Sequence, residues 1–175
     1  GLTKLADNSK LWFGIAGVTA VVGGRRGRHA AIDGVIAIGI ASFVVNQPLK
    51  RLLPRGRPDR DHFQVIAGRQ VPLPTSPSFP SGHTLNATVV LGLSAYLVML
   101  GRRHLRSRIL VASVVVVFVV AMGLSRVWLG HHWLTDVMAG WLVGLAWLAA
   151  VITGHRVKVT LDRAERARPE GRGRG

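Results

Sequence analysis

Five runs almost free of charge, Leu11 to Val22, Ala30 to Leu49, Thr84 to Leu100, Ile109 to Leu124 and Trp133 to Thr153, occupy about half of this 175-residue chain. Such runs constrain the fold more than any other feature, because a helix that crosses a hydrocarbon core needs about 20 predominantly apolar residues. Any one run alone reads equally well as a buried helix of a water-soluble domain, but five in a chain of this length do not. The expected fold is therefore all-α, a polytopic transmembrane helix bundle with five spans. The first run falls short of a full span unless residues before Leu11 and the Gly23-Gly24 pair extend it. Residues 1–10 carry Leu2, Leu5 and Ala6 among polar neighbours, the spacing of a short interfacial helix. The chain opens on Gly1 rather than Met and shows no signal-peptide pattern, so residues are expected to be missing ahead of it. A sixth span there and a five-span form are both compatible with the rest.

A formal charge of +15 invites a nucleic-acid reading. The distribution of that charge excludes it, because short Arg clusters alternate with long apolar runs, as in a membrane protein with basic cytoplasmic loops. Lys and Arg number three between the first two runs, four between the third and fourth, and seven after the fifth. The alternate segments hold two, six and one. The more basic side is expected to be cytoplasmic. Residues 154–175 read as a basic cytoplasmic tail open to disorder, and residues 1–153 as the membrane-embedded domain. With no Cys in the chain, disulfides and thiolate metal sites do not arise. Nothing in the sequence sets the oligomeric state.

Seven of the eight prolines lie between positions 48 and 80, which marks an ordered, turn-rich connector on the outer side. It ends in Ser78-Phe-Pro-Ser-Gly-His-Thr84. Pro80 suits a first helical turn, and Ser78 or Ser81 can cap it, so a new helix would aim free N–H groups at this point. Such an end attracts anions. Gly82 allows close backbone approach, Ser81 offers a hydroxyl, and His83 has an unperturbed pKa suited to proton transfer near neutrality.

Three polar clusters interrupt the apolar pattern: Lys50-x6-Arg57-Pro58, Pro80-Ser81-Gly82-His83, and Ser125-Arg126-x5-His132-x3-Asp136. Helix parity puts all three on one face of the membrane. His132 and Asp136, four apart at the start of the fifth run, would share a helix face, so that a carboxylate orients one imidazole nitrogen and leaves the other to attack. Lys50, Arg57 and Arg126 would supply cationic donors, the arginines in the fork geometry that suits phosphate oxygens.

Together the three clusters resemble the signature of the type 2 phosphatidic acid phosphatase family, over roughly residues 11–153. The resemblance implies a metal-independent lipid phosphate phosphatase with no cofactor. It makes His132 the nucleophile that forms a phosphohistidine, Asp136 its orienting carboxylate and His83 the acid that protonates the leaving oxygen. Lys50, Arg57, Ser81, Gly82 and Arg126 then bind phosphate. A polyprenyl pyrophosphate is the first substrate candidate, with phosphatidic acid and phosphatidylglycerol phosphate behind it. Members of the family commonly have six spans against the five counted here. The rival readings are a vanadate-dependent haloperoxidase-like oxidase and a non-enzymatic membrane scaffold.

Other features read as incidental. His131 beside His132 lacks a third ligand at suitable spacing for a metal. The sequon Asn86-Ala-Thr88 lies within a span, and Asp33 sits beside Arg25 to Arg28 as an edge residue. Arg51, Arg55, Arg60 and Arg69 divide evenly between lipid-headgroup contacts and plain solvation. Trp12, Trp128 and Trp133 fall near the outer boundary, as an aromatic belt would.

Overall fold

The computed structural model describes residues 47–59 and 75–167, together with Ile36, Gly39, Ile40 and Phe43. The first expected span, the interfacial helix, most of the second span and the connector from 60 to 74 lie outside the described residues. Four helices follow in order: α1 (Gln47–Leu52), α2 (Gly82–Leu100), α3 (Leu105–Trp128) and α4 (Leu134–Ala167), with no strand among the described residues. The last three are long and apolar enough to cross a membrane, with mean hydropathies of 1.5, 2.4 and 1.9.

Each of these helices outruns its hydropathy signal, because apolarity marks the part that belongs in lipid while helix propensity decides where hydrogen bonding stops. Arg106, Arg108 and Arg126 all lie within α3. The sequence reading of residues 154–175 as an irregular tail is corrected for its first part, since α4 continues to Ala167. The residues beyond Thr153 are rich in Arg, Lys, Leu, Ala and Glu, all good helix formers. Within this extension His155 meets Tyr96 of α2, Oη to Nδ1 at 3.0 Å with the rings edge to face.

The core lies along α2. Leu85, Ala87, Val89 and Val90 are buried there, with Leu91, Met122, Val143 and Trp147 packed around them. α2 packs against both α3 and α4, whereas α3 and α4 touch one another less. Most of α3 faces outward, with Leu110, Val117 and Phe118 each about two-thirds exposed. A surface of that kind suits hydrocarbon rather than water.

Close approach of α2 and α4 depends on Gly140-Trp-Leu-Val-Gly144, a small-xxx-small stripe that the sequence reading passed over. A Cβ on Gly140 would sit 2.8 Å from the Ser81 carbonyl oxygen and 3.0 Å from Thr84 Cβ, and one on Gly144 would sit 2.8 Å from Thr88 Cβ. Because the first obstacle is backbone, it cannot swing aside. Gly140→Ala is expected to destabilise the bundle by about 1–3 kcal/mol, the usual cost of overpacking. Gly154→Ala, with nothing within 4 Å of the new methyl, should be neutral. Thermal unfolding of the two variants in detergent checks the contrast.

Candidate active site

Two helix ends build the centre of the site. α3 closes in a Schellman arrangement: Gly130 takes a left-handed φ of 63°, its N–H donates to Val127 O at 2.9 Å, and the His131 N–H donates to Arg126 O at 3.0 Å. A side chain on residue 130 would be strained there. The chain then turns at once into α4, where Asp136 Oδ2 accepts the Trp133 N–H at 2.9 Å, as the third residue of a capping box does. His131 and His132 are held between these two motifs, both almost fully buried.

This geometry corrects the expected basis of the His132–Asp136 pairing. α4 begins at Leu134, so His132 precedes the helix and no shared helical face relates the two residues. His132 Nδ1 lies 3.6 Å from Asp136 Oδ2 and has no hydrogen-bond partner. That distance exceeds hydrogen-bond reach by about half an ångström. Asp136, fully buried, is engaged by the Trp133 N–H and by Arg55, whose Nη1 donates to Asp136 Oδ1 at 3.1 Å and to Thr135 Oγ1 at 2.6 Å.

The start of α2 is joined to this centre directly, since the Ser81 N–H donates to the Asp136 carbonyl oxygen at 3.0 Å. Ser81 is the N-cap, and its Oγ accepts from the Thr84 N–H at 3.4 Å and from Thr84 Oγ1 at 2.9 Å. Ser81 therefore caps the helix rather than Ser78, and Pro80 stands before the cap instead of inside the first turn. Ser78 binds the preceding loop, its Oγ donating to Gly56 O at 3.0 Å and its N–H to Arg55 O at 2.9 Å. Gly82 opens α2 half-buried, and its N–H belongs to the first turn, which has no intrahelical acceptor. His83 follows in the same turn.

The first cluster packs over these two ends. Lys50, in α1, donates to Pro77 O at 3.1 Å and Ser76 Oγ at 3.3 Å. Arg57 reaches both sides, with Nη1 on the His131 carbonyl oxygen at 2.6 Å and Nη2 on Ser76 O at 3.0 Å. Trp133 Nε1 donates to Gly56 O at 3.0 Å, and its ring lies under the Arg55 guanidinium at 5.5 Å. Trp133 thus clamps the loop, in addition to any place in an interfacial belt. Arg126 is buried at the end of α3, its Nε donating to Ser125 Oγ at 3.3 Å. An open cleft of about 460 Å³ adjoins the site, lined by Pro54, Arg55, Gly56, Arg57, Thr75, Ser76 and Pro77.

Electrostatics fit an anion site. Burial pushes the Lys50 ammonium below its ordinary value, the charge of Arg57 adds to the effect, and Asp136 opposes it. Burial also pushes His132 down to about 3, helped by Arg57, His83 and Lys50 and opposed by the Ser78 hydrogen bond. His132 is therefore neutral at physiological pH, with a lone pair available. Cations that disfavour one another in this way favour an arriving dianion.

All eight residues singled out from sequence, Lys50, Arg57, Ser81, Gly82, His83, Arg126, His132 and Asp136, thus lie at one end of the bundle, on the four helices and two loops just described. Arg55, which sequence left between headgroup contact and solvation, is the residue that sequence underrated. Its only signal was a position two residues before Arg57, and spacing within an irregular loop does not say which cation turns inward. Arg51 is exposed, and Arg60 and Arg69 lie outside the described residues. Among the described residues, no three His, Asp or Glu side chains are grouped to hold a metal ion.

Residues 30–159 match the model of the PAP2 superfamily. The chain belongs to that superfamily. This PAP2 protein is 36% identical over 106 residues to phosphatidylglycerophosphatase B of Bacillus subtilis, covering 58% of this chain and 47% of the relative. It is 30% identical over 132 residues to an undecaprenyl-diphosphatase of Sulfolobus acidocaldarius, covering 71% and 54%. A third relative, decaprenylphosphoryl-5-phosphoribose phosphatase of Mycobacterium tuberculosis, is 31% identical over 82% of this chain and 71% of its own. The matches thus span about half the length of the first two relatives. Among solved structures, a transmembrane PAP2-type phosphatidylglycerolphosphate phosphatase from Bacillus subtilis superposes with a TM-score of 0.71 at 31% identity, over 91% of this chain and 75% of that one. Membership and the transmembrane neighbour agree with an all-helical membrane protein, of whose five expected spans three are among the described residues.

Proposed function

We propose that this PAP2 protein is a metal-independent lipid phosphate phosphatase that works through a phosphohistidine on His132. The observation that carries the reading is a buried, neutral His132 set among Lys50, Arg57, His83 and Asp136 at the end of apolar helices. Substrate phosphate occupies the cationic pocket, held by Lys50, Arg57 and Arg126 and by first-turn N–H groups of α2 at Gly82. The half-ångström gap between His132 Nδ1 and Asp136 Oδ2 closes when substrate arrives, as catalytic hydrogen bonds commonly tighten in the complex. The free imidazole nitrogen attacks phosphorus, the bond to the leaving oxygen breaks, and His83 delivers a proton to that oxygen. Water then attacks the phosphohistidine, releasing inorganic phosphate and restoring the imidazole. Three fixed cations and a helix end take the place that Mg²⁺ has in other phosphoryl-transfer enzymes.

The names of the relatives include phosphatases and diphosphatases of lipid-linked substrates, which supports a lipid phosphate monoester or pyrophosphate here. A polyprenyl pyrophosphate is the first candidate, ahead of phosphatidic acid and phosphatidylglycerol phosphate. The test is phosphate release by the purified full chain in detergent with EDTA present, from farnesyl pyrophosphate, dioctanoyl phosphatidic acid and dioctanoyl phosphatidylglycerol phosphate. Release from at least one is expected. Failure on all three with and without Mg²⁺ would sink the phosphatase reading, and release only on adding Mg²⁺ would sink the metal-independent step.

The site is assigned to the extracytoplasmic face of the cell membrane, on the Lys and Arg asymmetry of the loops. Single Cys substitutions at Thr75 and Gly154, both exposed, test this in intact cells with a membrane-impermeant thiol reagent. Labelling at position 75 and protection at 154 is the expected result; the reverse pattern would turn the protein over.

A further inference from the structure

Among the described residues it is Arg55 whose guanidinium pairs with the Asp136 carboxylate. We propose that Arg55 is a positioning residue for catalysis: it fixes the orientation of Asp136, and through Asp136 the alignment of His132. The inference rests on the reading of His132 as nucleophile.

Three independent contacts hold the guanidinium in this role. Nη1 is shared between Asp136 Oδ1 at 3.1 Å and Thr135 Oγ1 at 2.6 Å, and the group lies over the Trp133 ring at 5.5 Å. Its own carbonyl oxygen accepts the Ser78 N–H at 2.9 Å, so the loop carrying Arg55 is also tied to the segment that leads into α2. With Oδ1 on Arg55 and Oδ2 on the Trp133 N–H, the carboxylate cannot rotate about its last bond without breaking a hydrogen bond. Oδ2 is thereby kept facing His132 Nδ1. Removal of Arg55 leaves Asp136 Oδ1 without its donor and frees the buried carboxylate to turn. A rotated Asp136 no longer stabilises the imidazole as it takes up phosphate. Arg55 is 43% exposed, so the pair is worth little as a stability device, and its effect is to be read in activity.

The test compares the parent with Arg55→Ala, Arg55→Lys and His132→Ala, each as the full chain in detergent, assayed with dioctanoyl phosphatidic acid and farnesyl pyrophosphate. Arg55→Ala is expected to lower kcat about 10–100-fold with KM changed less than about threefold, the pattern of a residue acting through another. Its kcat/KM–pH profile should differ from the parent's, because a cation 3.1 Å from the Asp136 carboxylate is lost. Arg55→Lys keeps the charge but loses the fork, and should recover part of kcat and most of the profile. A raised KM with kcat preserved would make Arg55 a phosphate ligand and overturn the proposal. A lower melting temperature with an unmoved pH profile would make it merely structural, with the same consequence. If His132→Ala itself retained parental activity, the underlying reading would fail, whatever Arg55 does; loss in His132→Ala with parental kinetics in Arg55→Ala would refute the positioning role alone.

Discussion

Replacing His132 with Ala should abolish turnover, with a loss of at least about 10⁴-fold in kcat, because it removes the buried, neutral imidazole proposed as the nucleophile of the cationic pocket. Parent enzyme mixed with radiolabelled substrate and quenched in alkali after milliseconds should carry protein-bound phosphate that is released on acidification, the stability pattern of a phosphorus–nitrogen bond. The Ala variant should carry none. Folding is not expected to suffer much, since the turn around residue 132 is held by Gly130, by the Arg126 carbonyl and by Asp136 on the Trp133 N–H, none of which involves the imidazole. Parental turnover in the variant, or a bound phosphate that survives acid, would remove His132 from the role.

The loss in His83→Ala should depend on the leaving group. A lipid alkoxide is a poor leaving group and needs a proton as the phosphorus–oxygen bond breaks, so a loss of about 10²–10⁴-fold is expected on dioctanoyl phosphatidic acid. The para-nitrophenolate ion leaves without help, and para-nitrophenyl phosphate should be hydrolysed with a loss no greater than about tenfold. Equal losses on both substrates would assign His83 to phosphate binding rather than proton donation. His83 occupies the first turn of α2, two residues after the Ser81 cap.

Helix existence was legible in the sequence because hydrocarbon imposes long apolar runs, and α2, α3 and α4 appear where those runs are. Helix ends were not, because Arg and Lys at a membrane boundary are good helix formers and hydropathy alone stops at them. The meeting of the three clusters was legible through parity, which needs only the number of crossings between them. Their local geometry was not. A four-residue spacing between His132 and Asp136 looks helical, yet Gly130 and the capping box put the histidine in the turn and the aspartate in the helix. Gly130 itself was a readable signal, standing just after the last residues of an apolar run. The partner of Asp136 was beyond reach, since Arg55 comes from a proline-rich loop some 80 residues away, where periodicity carries no information.

The length of α4 divides the charge of the molecule into two parts that do not sense each other. Its 34 residues extend about 51 Å, against a hydrocarbon core of about 30 Å. Arg156, Lys158, Arg163 and Arg166 therefore ride on a rigid spacer, and Arg166 stands about 45 Å along the axis from Asp136. Screening in physiological salt acts over about 8 Å. The formal +15 of the chain is thus no measure of the attraction felt by a lipid phosphate. In the proposed site that attraction is set locally by Lys50, Arg57 and Arg126, and the ionic-strength dependence of substrate capture counts those charges and leaves the far end of the helix out.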